Sequence, residues 1–277
     1  DPRLAQSIRI PGYCRLNSTT PVAPNLANTV TGYAPIKYFT GVEDDTYQTS
    51  YNDLPLFRTA EVYLNFAEAK AELGTLTQAD IDRSIKLLRD RVGMPNLSLA
   101  DANANPDPYL LDKHTGYPKV ATKGGNNVGV ILEIRRERTI ELLQEGFRYY
   151  DIMRWKEGSV FNEEFLGMYI AGPGPIDVSG DGKADFYIKT KGDTATPAAG
   201  LEVLNMEDGK VTLVTPNASG ANTYNGESGF LTIHRNDVMN RKWIEERDYY
   251  YPIPSKERVL TNGALTQNPG WNDGLGL

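Results

Sequence analysis

The chain has 277 residues, 40% hydrophobic and 23% charged, a length and mix that suit a folded protein with a sizeable core in one large domain or two smaller ones. Its net charge of -7 argues against nucleic acid as the main partner, because phosphate backbones are bound by a surplus of lysine and arginine. The single cysteine, Cys14, excludes an intrachain disulfide and a cysteine metal cluster.

No run of 18 apolar residues occurs, and the opening Asp-Pro-Arg-Leu lacks the basic and apolar regions of an export signal. The chain as given is therefore expected neither to span a membrane nor to carry its own signal. Cys14 follows Pro-Gly-Tyr, without the small residues that lipoprotein processing prefers, and reads as a buried or loop thiol. His114 and His234 lie far apart in loop-like and strand-like surroundings and read as packed or surface residues. Sixteen tyrosines against 8 phenylalanines suit polar ligands or a wet interface, or else the edges of a core.

In chain order, residues 1 to about 55 are rich in Pro, Thr, Asn and Tyr and read as loop with scattered short strands. A helical hairpin is expected over 55–95. Its first helix, 56–73, carries Val62, Phe66, Ala69 and Leu73 on one face with Gly74 as C-cap. Its second, 78–92, carries Ile81, Ile85, Leu88 and Val92 and stops at Gly93-Met94-Pro95. Two such helices joined by a short turn make a hairpin of the tetratricopeptide kind, which cannot bury its apolar face alone. Residues 96–127 read as loop. A long charged helix is expected over 128–157, with Ile140, Leu143, Phe147 and Tyr150 as its apolar stripe. Residues 159–235 read as an insertion of turns and short β-hairpins, including "KVTLV" and "FLTIH". The closing segment, 236–277, is expected to hold a short helix near 237–246, an aromatic strand "DYYYPIP" and a Pro/Gly-rich tail. The fold class is mainly α, a tetratricopeptide-like helical scaffold with long loops and short β-hairpins.

Three clusters bear on chemistry. Glu133, Glu137, Glu141 and Glu145 recur every fourth residue, so they form an acidic row along one helix edge. Arg136 stands three residues from Glu133, Arg138 from Glu141, Arg148 from Glu145 and Arg154 from Asp151. A general acid needs a raised pKa, and guanidinium neighbours push a carboxylate the other way. A structural ion-pair network is therefore preferred over a pair of glycosidase acids. The second cluster is "DVSGDGKAD", where Asp177, Ser179, Asp181, the Lys183 carbonyl and Asp185 follow the ligand order of a calcium loop, with Gly182 at the turn. Ile188 stands where an EF-hand has its bidentate Glu, so the pattern is nearer the shorter loops of calcium-binding β repeats, a structural site. The other reading is an Asp/Gly-rich hairpin turn without metal. The third cluster is "YQTSYND", whose Tyr47, Tyr51 and Asn52 could stack on and hydrogen-bond a sugar, or form a turn with packed tyrosines. P-loop, GxSxG, HExxH and dinucleotide signatures are absent.

"EVYLNFAEAKAELG", "IRRERTIELLQEGFRYYDIMRWKEG" and "YYYPIPSKERVLTNGALTQNPGW", in that order, together with the opening "DPRL", resemble the SusD/RagB family, the surface glycan-binding lipoproteins of Bacteroidetes. The resemblance covers most of the chain apart from 159–235 and points to the family's C-terminal half. It implies a tetratricopeptide scaffold with long loops and an outer-membrane, surface-exposed location held by an N-terminal lipid not present in this chain. It further implies nutrient uptake by capture of oligosaccharide without hydrolysis, and a TonB-dependent transporter of the SusC type as partner. The alternative is a protein-interaction scaffold of that transporter complex with no sugar site of its own.

Overall fold

Residues 3–7 and 59–72 begin the helical part of the chain, and helix outweighs strand, 35% to 11%. The computed structural model describes residues 1–44, 46, 48–49, 51–206, 211–217, 221–224, 227–235 and 240–272. These divide into one unit of Asp1–Thr59, Leu88–Pro95 and Glu164–Asn240, and another of Ala60–Leu87, Asn96–Glu163 and Arg241–Leu277.

The first unit is built on strands. Apolar side chains at alternate positions bury Phe186 and Ile188 on β3 (Phe186–Lys189), and Leu231 and Ile233 on β6 (Gly229–Ile233). β6 lies between β1 (Tyr169–Ile170) and β5 (Val211–Val214), antiparallel to both. In the second sheet β3 lies between β2 (Gly174–Ile176) and β4 (Glu202–Asn205). Its pairing with β2 is an antiparallel hairpin, Pro175 opposite Tyr187, whereas β4 runs parallel to β3. That parallel pair corrects the expectation of hairpins alone: the link from 190 to 201 is long enough to return the chain to its starting end. Leu26, Ile170, Phe186, Ile188, Leu204, Leu213 and Leu231 share one apolar cluster, so the region read as an insertion has a core of its own. The N-terminal region is largely loop as expected, but among its described residues the expected short strands are only the isolated bridges Ile8 to Pro35 and Cys14 to Pro21, and it also holds α1 (Arg3–Ser7) and two 3-10 turns at Leu26–Asn28 and Val42–Asp44.

The helices differ from the sequence reading in instructive ways. α2 (Thr59–Glu72) ends at Gly74 as expected, with φ +70° and Thr75 N–H donating to the Lys70 carbonyl at 2.9 Å. It buries Ala60, Leu64, Ala67, Glu68 and Ala71, while Val62 and Leu73 stand 63% and 76% exposed. The packed face is therefore Leu64 with small alanines and one partnered acid, not the stripe through Val62 and Leu73. The second expected helix is two pieces, α3 (Gln78–Asp82) and α4 (Ile85–Asp90). Buried Ser84 breaks it, its hydroxyl donating to the Asp80 carbonyl at 2.6 Å. Thr77 and Asp80 form a reciprocal capping box at the start of α3.

Residues 96–127, read as loop, hold α5 (Leu99–Ala104) and α6 (Val120–Lys123) with 3-10 turns at Pro108–Leu111 and Gly125–Asn127. Their short lengths hide them from a periodicity search. All pack on α7 (Val128–Glu141). The single helix expected over 128–157 is α7 followed by α8 (Phe147–Trp155). Gln144 and Gly146, at φ +62° and +83°, turn the chain between them. The expected stripe shifts accordingly: Val130, Ile131, Leu132, Ile134, Ile152 and Trp155 are buried, and Tyr150 is 64% exposed.

In the closing segment, residues 241–249 form no helix beyond turns, and the part of that expectation at 237–239 lies outside the described residues. "DYYYPIP" is not a strand. Side-chain amides supply what a neighbouring strand would: Gln267 both accepts from Ile253 N–H at 2.8 Å and donates to its carbonyl at 3.0 Å. Asn268 donates to the Tyr251 carbonyl and Trp271 Nε1 to that of Tyr250. α9 (Ser255–Leu260) follows.

Candidate functional site

The charged stretch proves to be an interior lattice. Arg136 pairs with Glu133 and Arg154 Nε donates to Asp151 at 2.8 Å, both as spaced in the sequence. The other two pairings differ. Arg138 donates Nε to Asp151 at 2.7 Å and Nη1 to Asn65 at 2.8 Å instead of meeting Glu141. Arg148 serves the Thr115 carbonyl, the Tyr117 hydroxyl and Thr139 instead of Glu145. The turn at 142–146 is the reason, since it brings α8 back alongside α7 and offers nearer acceptors than the same helix does. Buried Glu68 accepts from both Arg154 Nη atoms and from Trp155 Nε1 at 2.6 Å. Burial, the largest single influence, would raise its carboxyl, but the Arg154 bonds and charge, the Trp155 bond and the Arg138 charge together hold it below the ordinary glutamate value. Depressed, engaged carboxylates of this kind are poor general acids.

Asp177, Ser179, Asp181, Lys183 and Asp185 lie in the turn between β2 and β3. The Asp177 carboxylate accepts from Gly180 N–H at 2.6 Å, Gly182 N–H at 2.9 Å and the Ser179 hydroxyl at 3.3 Å. Asp185 accepts from the N–H groups of Val178 and Ser179, both at 2.8 Å, and Asp181 from that of Lys183. Backbone donors, led by Gly180, hold the Asp177 carboxyl below its usual range. Among the described residues, no three His, Cys, Asp or Glu side chains gather as a metal would require. These oxygens accept from the loop's own amides and hold the turn between β2 and β3.

Tyr47 lies outside the described residues. Tyr51 is 90% exposed, and Asn52 donates its amide to the Tyr38 carbonyl. His114 behaves as a packed residue, its Nδ1 at 2.7 Å from Asp112 and its Nε2 at 3.7 Å from Glu163. Cys14 is partly buried and free.

An aromatic surface that the sequence reading did not single out as a site forms within the second unit. Tyr150 meets Tyr149 edge-on at 5.5 Å between ring centroids, Tyr149 lies 6.1 Å from Phe161, Phe161 lies 5.4 Å from Trp243, and Trp243 meets Tyr249 at 4.9 Å. The exposed Tyr251 donates its hydroxyl to that of Tyr149 at 3.5 Å, and Tyr250 is exposed beside it in sequence. Gly158 makes room for this row, since a Cβ there would come within 2.0 Å of the Trp243 ring. Glu245 fixes one end by accepting from Trp243 Nε1 at 3.1 Å, the Tyr249 hydroxyl at 3.1 Å and Lys119 Nζ at 2.5 Å. The hydrogen bond with Tyr251 and then burial push the Tyr149 phenol up to about 12, so it stays a neutral donor and acceptor. Tyr149 also borders a cavity of about 300 Å³ lined by Leu142, Leu143, Gln144, Phe147 and Arg148. Exposed rings carrying hydroxyls, with carboxylate, amide and guanidinium groups nearby, can stack on the C–H faces of a sugar and bond its hydroxyls. The signal was present in "FRYYDIMRW" and "DYYYPIP", which were read as a helix stripe and a strand.

The SusD family model matches residues 1–271, which includes 159–235, and the chain belongs to the SusD family. Proteins of this family bind glycans or other nutrients, are generally non-catalytic, work with SusC-like transporters and are associated with the outer membrane. No curated protein and no solved structure matches the chain. Among the described residues, no helix is long and apolar enough to cross a membrane.

Proposed function

We propose that this protein captures an oligosaccharide at the cell surface and delivers it to a TonB-dependent outer-membrane transporter without hydrolysing it. Family membership supports the class, and the row of rings from Tyr150 to Tyr249 with exposed Tyr250 and Tyr251 is the observation that carries the ligand chemistry. The helices α2, α3, α7 and α8 are read as part of a tetratricopeptide-like scaffold, and an N-terminal lipid as the anchor. The acids of α7 take no catalytic part in this reading, and a calcium ion on the turn of Asp177 to Asp185 would have a structural role only.

Calorimetry against storage, plant and host polysaccharides tests the proposal. One class of glycan is expected to bind, and Tyr150→Ala with Tyr251→Ala to weaken it about tenfold or more, the loss of one or two stacking contacts. Silence across the panel, or full affinity in the double variant, rejects it. A second reading, docking to the transporter through helices alone, is favoured by the exposed Val62 and Leu73 on α2. It takes precedence if Val62→Ser with Leu73→Ser abolishes transporter binding while no glycan binds.

A further inference from the structure

The cavity of about 300 Å³ beside Tyr149 lies at the bend between α7 and α8, wholly within the second unit. Leu142, Leu143 and Phe147 give it apolar walls, and Tyr149, the second ring of the aromatic row, makes it continuous with that row. Arg138, Arg148 and Asp151 also reach the lining. Arg138 donates to Asp151 and Asn65, and Arg148 to the Thr115 carbonyl, the Tyr117 hydroxyl and Thr139, so these groups are engaged within the fold.

Gln144 is the exception. It lines the cavity, is exposed, and its carboxamide makes no hydrogen bond among the described residues. With φ +62° it is also part of the bend that shapes the cavity, so the free amide and the apolar walls are placed by the same turn. Such a cup is a poor match to a sugar that carries hydroxyls alone, because a hydroxyl set against Leu142, Leu143 or Phe147 gives up water without a replacement partner. An acetamido group is complementary to it. Its methyl fits apolar walls, and its N–H and carbonyl match a carboxamide, which both accepts and donates.

We infer that the aromatic row takes an oligosaccharide containing 2-acetamido sugars, one acetamido group seated between Leu142, Leu143 and Phe147 with its amide on Gln144 while the chain continues over Tyr149 and Tyr150. This rests on the reading of that row as the oligosaccharide site. The volume stands at the lower end of small-molecule sites, room for one substituent and part of its ring. An acidic sugar would call on a free cation, and the two arginines are engaged. A wholly apolar ligand would cover the Gln144 amide without pairing it, which is costly.

Calorimetry with tetra-N-acetylchitotetraose, cellotetraose and tetragalacturonate tests this. The first two share a linkage and differ in the acetamido groups. The acetylated chain is expected to bind about tenfold more tightly than cellotetraose, the combined effect of one buried methyl and one amide hydrogen bond. Gln144→Gly, which tolerates the same backbone angle, should bring the two to within about twofold with the melting temperature retained. Leu143→Trp, which fills the cup, should do the same. Tyr150→Ala with Tyr251→Ala should weaken both chains alike, so that loss of the row is read separately from loss of the cup. No binding of the acetylated chain, or binding equal to that of cellotetraose, overturns the inference, and the oligosaccharide reading outlives it if any glycan of the wider panel binds. A preference that persists in Gln144→Gly, or tighter binding of tetragalacturonate, overturns it too.

Discussion

Glu157 shows how a single side chain can be held against its own preference. It is fully buried, its Oε1 accepts from Lys119 N–H at 2.8 Å, and its Oε2 is buried with no hydrogen-bond partner among the described residues. Arg135 Nη1 comes only to 3.8 Å, because that guanidinium also lies over the Trp155 ring and reaches Glu72 at 3.2 Å. Burial, the largest influence, therefore raises the Glu157 carboxyl above its ordinary value of 4.5, despite the Lys119 bond and Arg135. A raised folded value favours the protonated group, so its contribution is full below the unfolded pKa and is lost as pH rises through the folded one. Glu157→Gln keeps the acceptor and removes the charge. Relative to the native protein, the variant is expected to gain about 2 °C or more in melting temperature between pH 4 and pH 8. A difference that shrinks or stays flat over that window would contradict this. Glu68 has the opposite sign: its depressed carboxyl contributes above the ordinary glutamate value and ceases to as pH falls. Neither sign is legible in the sequence, where both residues are simply glutamates among arginines.

At the scale of elements, the outcome turned on interruptions. The apolar period from 128 to 155 runs through Leu142–Gly146, and the break there comes from backbone angles that a period does not record. Gly146 adopts φ +83° with open space where a Cβ would stand, whereas at Gly158 a Cβ would strike the Trp243 ring. Gly146→Ala is therefore expected to cost about 1–2 kcal/mol of purely conformational origin. Gly158→Ala should cost more and should also quench or shift tryptophan fluorescence, since Trp243 must move. Urea denaturation of the two variants compares them, and equal losses would show that ring packing at Gly158 has been misjudged. The strand-like reading of "DYYYPIP" failed for a related reason. Its backbone groups find partners in Gln267, Asn268 and Trp271, and a local pattern of apolar residues does not say what will supply those bonds.

For the whole molecule, the net charge of -7 and the aromatic row make different demands on solution conditions. Stacking of a neutral oligosaccharide on rings releases no counter-ions, so its affinity is expected to change less than about twofold between 50 and 500 mM salt, where charge pairing would be screened. Calorimetry at the two ionic strengths checks this, and steep salt dependence of glycan binding would move that site away from the rings.

Read alone, the sequence determined the family, the mixture of helices and short strands, the Gly74 and Gly93 helix stops, and the structural role of the charged stretch. These rest on local composition, spacing and backbone preference, which travel with the chain. It misjudged the buried face of α2 and missed the split of α7 from α8, the parallel pairing of β3 with β4 and the row of rings that begins at Tyr150. Those were decided by partners distant in sequence: Arg154 and Trp155 make Glu68 buriable, Asp151 draws Arg138 from Glu141, and Phe161 and Trp243 complete a row that begins at Tyr150. A side chain's energy depends on what folding brings beside it, and only the tertiary structure decides that.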